Sequence, residues 1–217
     1  RVADFASDSI FVGEAGFRLL RPGDTGLSLS ASASFARWRN IQADLVNRRG
    51  TPYTTNLGDA KISTLEATAD YVPFGGLRAV ASFLYTQNSV SGALADLSKP
   101  ENRRLPDTPP LAGNVDLSYE WAGRGDMRWS LGGRVAYVGR SVLGTGDVLD
   151  ISQGKYTTLG AHAGWQSHGF AASLSAENLL DSHRNRFAYG NPFTFIARDQ
   201  STPLQPMTVR LGLSHNW

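Results

Sequence analysis

Histidine is the residue type of this sequence best suited to acid–base or metal chemistry, and its four copies do not form a site. His162, His168, His183 and His215 lack the spacing of metal ligands or of a catalytic triad. Cysteine is absent, which excludes thiolate zinc sites, cysteine nucleophiles and disulfide frameworks. The sequence therefore predicts no catalytic residues, no metal site and no cofactor, and we do not expect an enzyme.

Two short motifs resemble ligand-binding sequences but lie where ordinary turns are expected. Arg124-Gly125-Asp126 spells an adhesion tripeptide, yet it falls in a turn between two predicted strands, where Gly and Asp are common for backbone reasons. Residues 144–147 are similar to part of a phosphate-binding loop, but no strand-to-helix context surrounds them. Neither motif is assigned a binding role.

Charged side chains of both signs recur on one face of the predicted strands. The arginines are Arg18, Arg78, Arg128, Arg134 and Arg210, and the acids are Glu14, Glu66, Asp70, Asp116, Glu120 and Glu177. A hydrated wall in which opposite charges pair explains this pattern. A path for a substrate is the alternative interpretation.

Ligand contact is more expected in the long polar segments between strands, where adaptable side chains gather. The candidate ligand-binding residues are Arg103 and Arg104 in one segment, and Arg184, Arg186, Tyr189 and Phe193 in another. Arginine suits an anionic ligand, and an aromatic ring stacks on a planar one. Solvated loop surface is the alternative for each of them.

The composition limits the classes of protein that these residues can belong to. The chain has 217 residues with 21 basic and 19 acidic side chains, and the basic ones are spread along it, so a nucleic-acid partner is not expected. The mean hydropathy of -0.25 suits a soluble chain, and no apolar run approaches the ~18 residues of a membrane-spanning helix. A membrane-spanning form would have to consist of strands, because only helices and closed barrels satisfy their backbone groups in lipid.

The carboxy-terminal segment 207–217 has the pattern of such a strand. Val209, Leu211, Leu213 and Trp217 fall on one face, and His215 is the single polar residue among them. An apolar face on a strand that ends with an aromatic residue is typical of the closing strand of an outer-membrane β-barrel. An edge strand of a soluble β-sandwich is the alternative.

The same alternation recurs along the chain and predicts roughly nine strands of about ten residues each. Long polar segments at about 37–60, 87–111, 139–155 and 178–205 alternate with short turns. Outer-membrane barrels sort their connections in this way, with short periplasmic turns and long extracellular loops. The fold class predicted is therefore an all-β, transmembrane antiparallel β-barrel.

Aromatic residues near the strand ends are predicted to form the girdles at the membrane interfaces. They are Tyr71, Tyr85, Tyr119, Trp121, Trp129, Tyr137, Trp165 and Trp217. The carboxy terminus should lie on the periplasmic rim, and residues 1 to about 9 on the extracellular rim. An odd number of antiparallel strands leaves unpaired edges, so we expect the carboxy-terminal part of a larger barrel, completed by another chain or fragment.

Several segments resemble the carboxy-terminal region of TonB-dependent outer-membrane receptors. These segments are 38–42, 53–60, 105–114, 177–181 and 206–212. The last two are the most specific, because family members commonly have Asn-Leu-Phe-Asp, then Pro-Arg-Thr-hydrophobic-Arg-hydrophobic-Gly before a terminal aromatic residue. Leu180 and Met207 depart from this pattern, and His215 stands where the family often has an aromatic residue.

The resemblance implies a barrel of about 22 strands with a plugged lumen, of which this chain supplies about the last nine strands. The plug domain and the earlier strands would lie outside residues 1–217. The implied function is an outer-membrane active transporter that imports a scarce nutrient such as a ferric siderophore, bound by extracellular loops. The implied partners are the remaining strands and plug, TonB acting through the plug, the small-molecule substrate, and outer-membrane lipid with lipopolysaccharide, whose phosphates the loop arginines would also suit.

Two other functions remain open at this point. A passive porin-like channel would share the barrel but lack a plug. A barrel-borne hydrolase would need a Ser/His/Asp or paired-carboxylate cluster at one rim, and the sequence shows none at usable spacing.

Overall fold

Nine strands pair side by side into one antiparallel sheet in the computed structural model, which describes residues 6–47, 49–92, 103–145, 149, 151–187 and 202–215, without the side chains of 185–187. Including a separate two-stranded pair, the described residues form eleven strands: β1 (Ser9–Leu19), β2 (Gly26–Val46), β3 (Pro52–Phe74), β4 (Leu77–Ser91), β5 (Leu111–Ala122), β6 (Arg128–Val142), β7 (Ser152–Ser167), β8 (Phe170–Glu177), β9 (Asn185–Phe187), β10 (Thr202–Pro203) and β11 (Thr208–His215). Each strand from β1 to β8 pairs with the next one, and β11 pairs with β8. The short strands β9 and β10 pair only with each other. The predicted all-β antiparallel architecture is confirmed.

The register of the strands gives the sheet one apolar and one polar face. Residues directly opposite each other on neighbouring strands share a face. Leu29 lies opposite Ala69, and Ala69 lies opposite Ala81, so these belong to the apolar face. Ser30 lies opposite Thr68 on the polar face. The two-residue alternation in the sequence therefore predicts the two faces correctly.

The apolar face is not covered by a second layer of protein. Phe83 is 42% exposed, Leu117 is 51% exposed and Leu213 is 78% exposed. In a β-sandwich these side chains would fill the space between two sheets and would be buried. The sandwich alternative is therefore wrong, and the exposed apolar face is that of a barrel wall.

The prediction of a long loop at about 37–60 is wrong. The strand β2 continues to Val46 and β3 begins at Pro52, so the connection is residues 47–51. The register shifts between Trp38 and Ile41, where Asn40 has a φ of 51°. This bulge breaks the alternation, which is why the strand extensions resemble a loop in the sequence.

The loops predicted at about 87–111 and 139–155 are also shorter in the structure, whereas the connection predicted at 178–205 does span the interval between β8 and β11. The strand β4 extends to Ser91, β6 ends at Val142, and β7 begins at Ser152. The nine strands of the sheet run from 8 to 23 residues, so the expected length of about ten holds only for some of them.

Beyond the apolar face, the sheet carries a small apolar core toward the ends of the strands that bear the long connections. Its buried members, here called the loop-side cluster, are Ile41, Leu45, Leu57, Ala60 and Val90. Trp38, Ala43, Tyr53 and Leu105 pack against it. The cluster ties the extended β2–β3 hairpin to β4 and to the segment that follows β4.

Among the described residues, no helix is long and apolar enough to cross a membrane.

Candidate functional site

A row of aromatic rings follows the short-turn edge of the sheet on its apolar face. Tyr119 stacks on Trp121 at a centroid distance of 5.3 Å, and Trp121 stacks on Trp129 at 6.3 Å. Trp165 lies 6.4 Å from Trp129. We call this row the aromatic belt, and it has the position and composition of a membrane-interface girdle.

The remaining predicted girdle residues lie on the same face or outside the described residues. Tyr71 lies opposite Leu27 near the same edge, whereas Tyr85 and Tyr137 lie nearer the long connections. Trp217 lies outside the described residues.

Two further aromatic residues of the apolar face, Phe74 and Phe170, stand beside short turns and were not among the predicted girdle residues. Phe74 contacts Tyr119 edge-on at 6.3 Å, and Phe170 lies 4.1 Å from His215. The proximity of each phenylalanine to a short turn is the signal that could have identified them. His215, the single polar residue predicted on the apolar face of the last strand, is thus in ring contact with a neighbouring strand.

The polar face carries ion pairs between neighbouring strands. Arg78 forms two hydrogen bonds of 2.9 Å with the carboxylate of Asp70, which also lies 3.3 Å from Arg21. Arg21 belongs to the β1–β2 turn and was not among the predicted wall residues. The pairing of opposite charges on this face is the pattern that the alternation predicted.

Two further ion pairs on the polar face also join neighbouring strands. Arg134 lies 3.7 Å from Asp116, directly across from it, and Arg210 lies 2.9 Å from Glu177. Within the described residues, five of the predicted wall residues have no ion pair. They are Glu14, Arg18, Glu66, Glu120 and Arg128. These exposed charges remain available to a partner or to water.

Arg103 and Arg104 are exposed and lie at the start of a segment that is held firmly against the sheet. The side chain of Asn88 on β4 accepts a hydrogen bond of 2.8 Å from the Leu105 backbone N–H and donates one of 2.8 Å to the Thr108 hydroxyl. The Arg104 carbonyl accepts a hydrogen bond of 3.3 Å from the Thr145 hydroxyl. The backbone of this arginine pair is therefore fixed while its side chains face solvent.

A second set of hydrogen bonds, made by Asp107, holds the segment that follows Arg103 and Arg104 from the other side. The Asp107 backbone N–H donates to the Val142 carbonyl at 3.0 Å, and its carboxylate accepts a bond of 2.7 Å from the buried Gln153 side chain. The segment is thus clamped between β4 and the β6–β7 connection. A rigid platform of this kind suits ligand binding, since less side-chain and loop ordering is required.

The second group of predicted ligand-binding residues is only partly described. Arg184 is exposed, and its carbonyl accepts a hydrogen bond of 3.2 Å from the Leu204 N–H. Arg186 lies in β9, but its side chain is outside the described part of the structure. Tyr189 and Phe193 also lie outside the described residues. Among the residues that are described, no hydrogen bond or ion pair joins Arg184 to Arg103 or Arg104.

The family-like segment 177–181 closes the base of the last long connection. The buried side chain of Asn178 donates to the Gln205 carbonyl at 2.8 Å and to the Ser182 carbonyl at 3.1 Å. Its amide oxygen accepts the Ser182 N–H at 3.0 Å. One asparagine therefore joins the two ends of the 178–205 connection, a role that the sequence alone did not reveal.

The Arg-Gly-Asp tripeptide has a structural role. The carboxylate of Asp126 accepts hydrogen bonds from the Ser167 hydroxyl at 2.8 Å and from the His168 backbone N–H, and it lies 3.1 Å from the His168 ring. We call this contact the turn bridge, because it joins the β5–β6 turn to the β7–β8 turn. The His168 N–H and then the Ser167 hydroxyl hold the pKa of Asp126 below its usual value.

The histidines and the glycine-rich segment do not converge on a site. His183 lies 3.1 Å from Asp181, and His162 lies on the polar face opposite Gly132. Thr145 of the 144–147 segment donates to a backbone carbonyl, and residues 146 and 147 lie outside the described part. No group of three potential metal-ligating side chains occurs in the described ranges.

The sequence of this chain matches the model of a known protein family. The model described as TonB dependent receptor-like, beta-barrel matches residues 13–179. The chain belongs to the TonB-dependent receptor family. This confirms the resemblance inferred from the short segments. Members of this family are outer-membrane β-barrel proteins that act as transporters and receptors rather than as enzymes.

Solved structures of TonB-dependent receptors share this fold at low sequence identity. The ferric yersiniabactin uptake receptor FyuA from Yersinia pestis is 18% identical, with a TM-score of 0.73 over 98% of this chain and 30% of the receptor. The ferric-catecholate import receptor Fiu from K12 E. coli is 16% identical, with a TM-score of 0.70 over 97% of this chain and 28% of the receptor.

The copper transporter OprC is 20% identical, with a TM-score of 0.68 over 96% of this chain and 31% of that protein. No curated protein sequence matches the chain. At these identities the likeness establishes the fold alone. The chain spans between 28% and 31% of the length of these three proteins.

Proposed function

We propose that this chain forms the carboxy-terminal portion of the barrel of an outer-membrane active transporter that imports a ferric siderophore or a similar metal chelate. The observation that carries the proposal is the two-faced nine-stranded sheet, matched by the TonB-dependent receptor family over residues 13–179. Two of the structural relatives are named as receptors for ferric chelates and one as a copper transporter. These three names share a metal as the substrate, and two of them specify a ferric chelate.

The long connections are the proposed ligand-binding region. Arginine side chains on a fixed backbone suit the anionic groups of a metal chelate, because the guanidinium group forms paired hydrogen bonds with carboxylates and similar anions. Arg103 and Arg104 satisfy this description. Arg184 and Arg186, with Tyr189 and Phe193, are proposed for the second loop.

The polar face is proposed to contact a plug domain contributed by a part of the protein outside residues 1–217, as are the remaining strands of the barrel. Neighbouring charges already form pairs at Asp70, Asp116 and Glu177, which keeps this wall hydrated and near neutral. The wall residues without ion pairs, such as Arg18 and Arg128, are suited to polar contacts with the plug. TonB would act on the plug from the periplasm.

This function requires one orientation of the sheet. The short turns and the carboxy terminus would face the periplasm, and the amino terminus of this chain would lie on the extracellular side with the long connections. The aromatic belt would then lie at the periplasmic interface of the membrane.

Uptake of siderophores loaded with radiolabelled iron tests the proposal. A strain lacking the gene is complemented with the full-length protein under iron limitation. We expect uptake of at least one ferric chelate that depends on both this protein and TonB. Uptake that persists without TonB would contradict the proposal and support the passive porin-like channel.

A variant pair tests the binding residues within the same assay. Arg103→Gln and Arg104→Gln should each weaken ligand binding by about tenfold, the loss typical of a hydrogen bond to a charged group. Arg124→Gln is the matched control, because Arg124 is an exposed arginine in a turn at the opposite edge of the sheet. Equal effects of all three substitutions would refute the assignment of Arg103 and Arg104.

A further inference from the structure

Three basic residues stand on the apolar side of the sheet where its apolar surface ends. Arg37 on β2 lies directly opposite Lys61 on β3, so the two side chains share a face. Arg39 lies two residues further along β2, opposite Ser9, and therefore points to the same side. All three side chains are exposed.

The position of these residues coincides with the edge of the apolar band. On β2, every second residue from Leu27 to Phe35 is apolar, and the next residue on that face is Arg37. On β3, the same face changes from Leu65 through Ser63 to Lys61. This edge lies toward the long connections, which the proposed orientation places at the outer leaflet.

Two cations directly opposite each other destabilise the pairing of the two strands, unless an anion lies between them. The nearby carboxylate of Asp59 neutralises them only partly. Its closest approach to Arg37 is 3.9 Å, and its other oxygen accepts the Asn40 backbone N–H at 3.2 Å. The side chain of Arg37 keeps 49% of its surface exposed. The cluster therefore has the charge and the accessibility to bind a further anion.

We propose that Arg37, Arg39 and Lys61 bind a phosphate group of the glycolipid that forms the outer leaflet, lipopolysaccharide. Phosphorylated headgroups lie at the level where the apolar band of a barrel ends, and basic side chains there gain from the anionic surface. A phosphate between Arg37 and Lys61 would also remove the repulsion between them. The assignment rests on the proposed outer-membrane orientation and does not require any particular transported ligand.

Binding of purified bisphosphorylated lipid A to the full-length receptor in detergent tests this proposal. The Arg37→Gln/Lys61→Gln variant should bind it about 25-fold more weakly, because each basic side chain near an anionic surface contributes roughly fivefold. The control Arg124→Gln removes an exposed positive charge from a turn at the opposite edge of the sheet and should bind lipid A as the wild type does. The substituted side chains are all exposed, so the variants should fold.

Further measurements separate this site from a general anion site. Dephosphorylated lipid A should bind the wild type as weakly as bisphosphorylated lipid A binds the variant, and inorganic phosphate should not compete at millimolar concentration. Without lipid A, the Arg37→Gln/Lys61→Gln variant should be at least as heat-stable as the wild type, because the repulsion is gone. Lipid A should raise the melting temperature of the wild type and not that of the variant.

Equal lipid A affinity of variant and wild type would overturn the proposal, as would full competition by inorganic phosphate. These results are independent of the uptake assay. A receptor that binds lipid A through this cluster but imports no ferric chelate would contradict the proposed substrate and leave the glycolipid site standing.

Discussion

Replacing Leu57 with alanine tests whether the loop-side cluster holds the extended β2–β3 hairpin in place. Leu57 is 1% exposed and is one of the largest fully buried side chains in the described part of the chain. Truncation of a buried leucine to alanine costs about 2–5 kcal/mol through lost transfer free energy and the cavity left behind. We expect about 2–3 kcal/mol here, the lower part of that range, because a small cluster at the end of a sheet can partly collapse.

The destabilisation should be local. The apolar cluster lies beyond the apolar face of the sheet, whereas the strands at membrane level are held by continuous backbone pairing. Amide hydrogen exchange in the full-length receptor should therefore accelerate by about 30- to 150-fold in residues 41–57, the factor that about 2–3 kcal/mol corresponds to, and remain unchanged in β6 and β7. Leu20→Ala is the control, because the Leu20 side chain is 69% exposed.

Two results would refute this reasoning. An increase of less than threefold in residues 41–57 would mean that the backbone ladder alone holds the hairpin. A uniform increase throughout the sheet would mean that the hairpin and the barrel wall unfold as one unit.

Three further perturbations have expected outcomes. The turn bridge lowers the pKa of Asp126, so the stability that it contributes should be present above the normal carboxyl pKa and be lost as the pH falls through the lowered value. Hydrogen exchange of the His168 amide should show this acid dependence in the wild type and not in the Asp126→Asn variant. Asn178→Ala should cost about 1–3 kcal/mol through the loss of three part-buried hydrogen bonds to Ser182 and Gln205. Limited proteolysis should then cut the 178–205 connection faster, whereas an unchanged cleavage rate would contradict its closing role. Trp129→Ala should lower stability by about 1–3 kcal/mol in lipid bilayers through lost ring contacts and interfacial burial, with a smaller effect for Tyr137→Ala, and an equal effect would argue against a continuous aromatic belt.

The two faces of the sheet were predictable from the sequence because the alternation is a local property. In segment 27–35 each apolar residue and its serine neighbour must point to opposite sides of a strand, whatever the rest of the chain does. The cross-strand ion pairs follow from the same alternation, since neighbouring strands place opposite charges side by side. Arg134 and Asp116 are one such pair.

The extent of the strands was not predictable by the same reasoning. Beyond the apolar band neither face needs apolar side chains for contact with hydrocarbon, so nothing imposes an alternating apolar pattern on residues 37–60. The bulge at Asn40 and the positive φ of 120° at Gly58 then shift the register within that range. Ile41, Leu45 and Leu57 consequently form a core that no fixed period in the sequence connects.

The candidate ligand-binding residues illustrate the same division between local and long-range information. Arginine composition indicated Arg103 and Arg104, but the hydrogen bonds that fix their backbone come from Asn88 on β4 and Thr145 after β6. Asn178 likewise joins residues 182 and 205, which are close only in the folded chain. Residue type can suggest which side chains are suited to a ligand, while long-range contacts determine where they are held.

The ion pairs of the polar face support the proposal that the ligand binds at the long connections rather than at the paired arginines of the wall. Arg78, Arg134 and Arg210 each form an ion pair with a carboxylate on a neighbouring strand, so their fields are largely cancelled by adjacent groups of opposite sign. An anionic chelate would have to displace a carboxylate to engage any of them, at a cost in desolvation and lost pairing. Arg103 and Arg104 form no such pair among the described residues and stand on a segment that is already ordered. An anionic ligand would therefore gain more at Arg103 and Arg104 than at these three paired wall arginines, which supports the proposal that selection takes place at the long-connection rim.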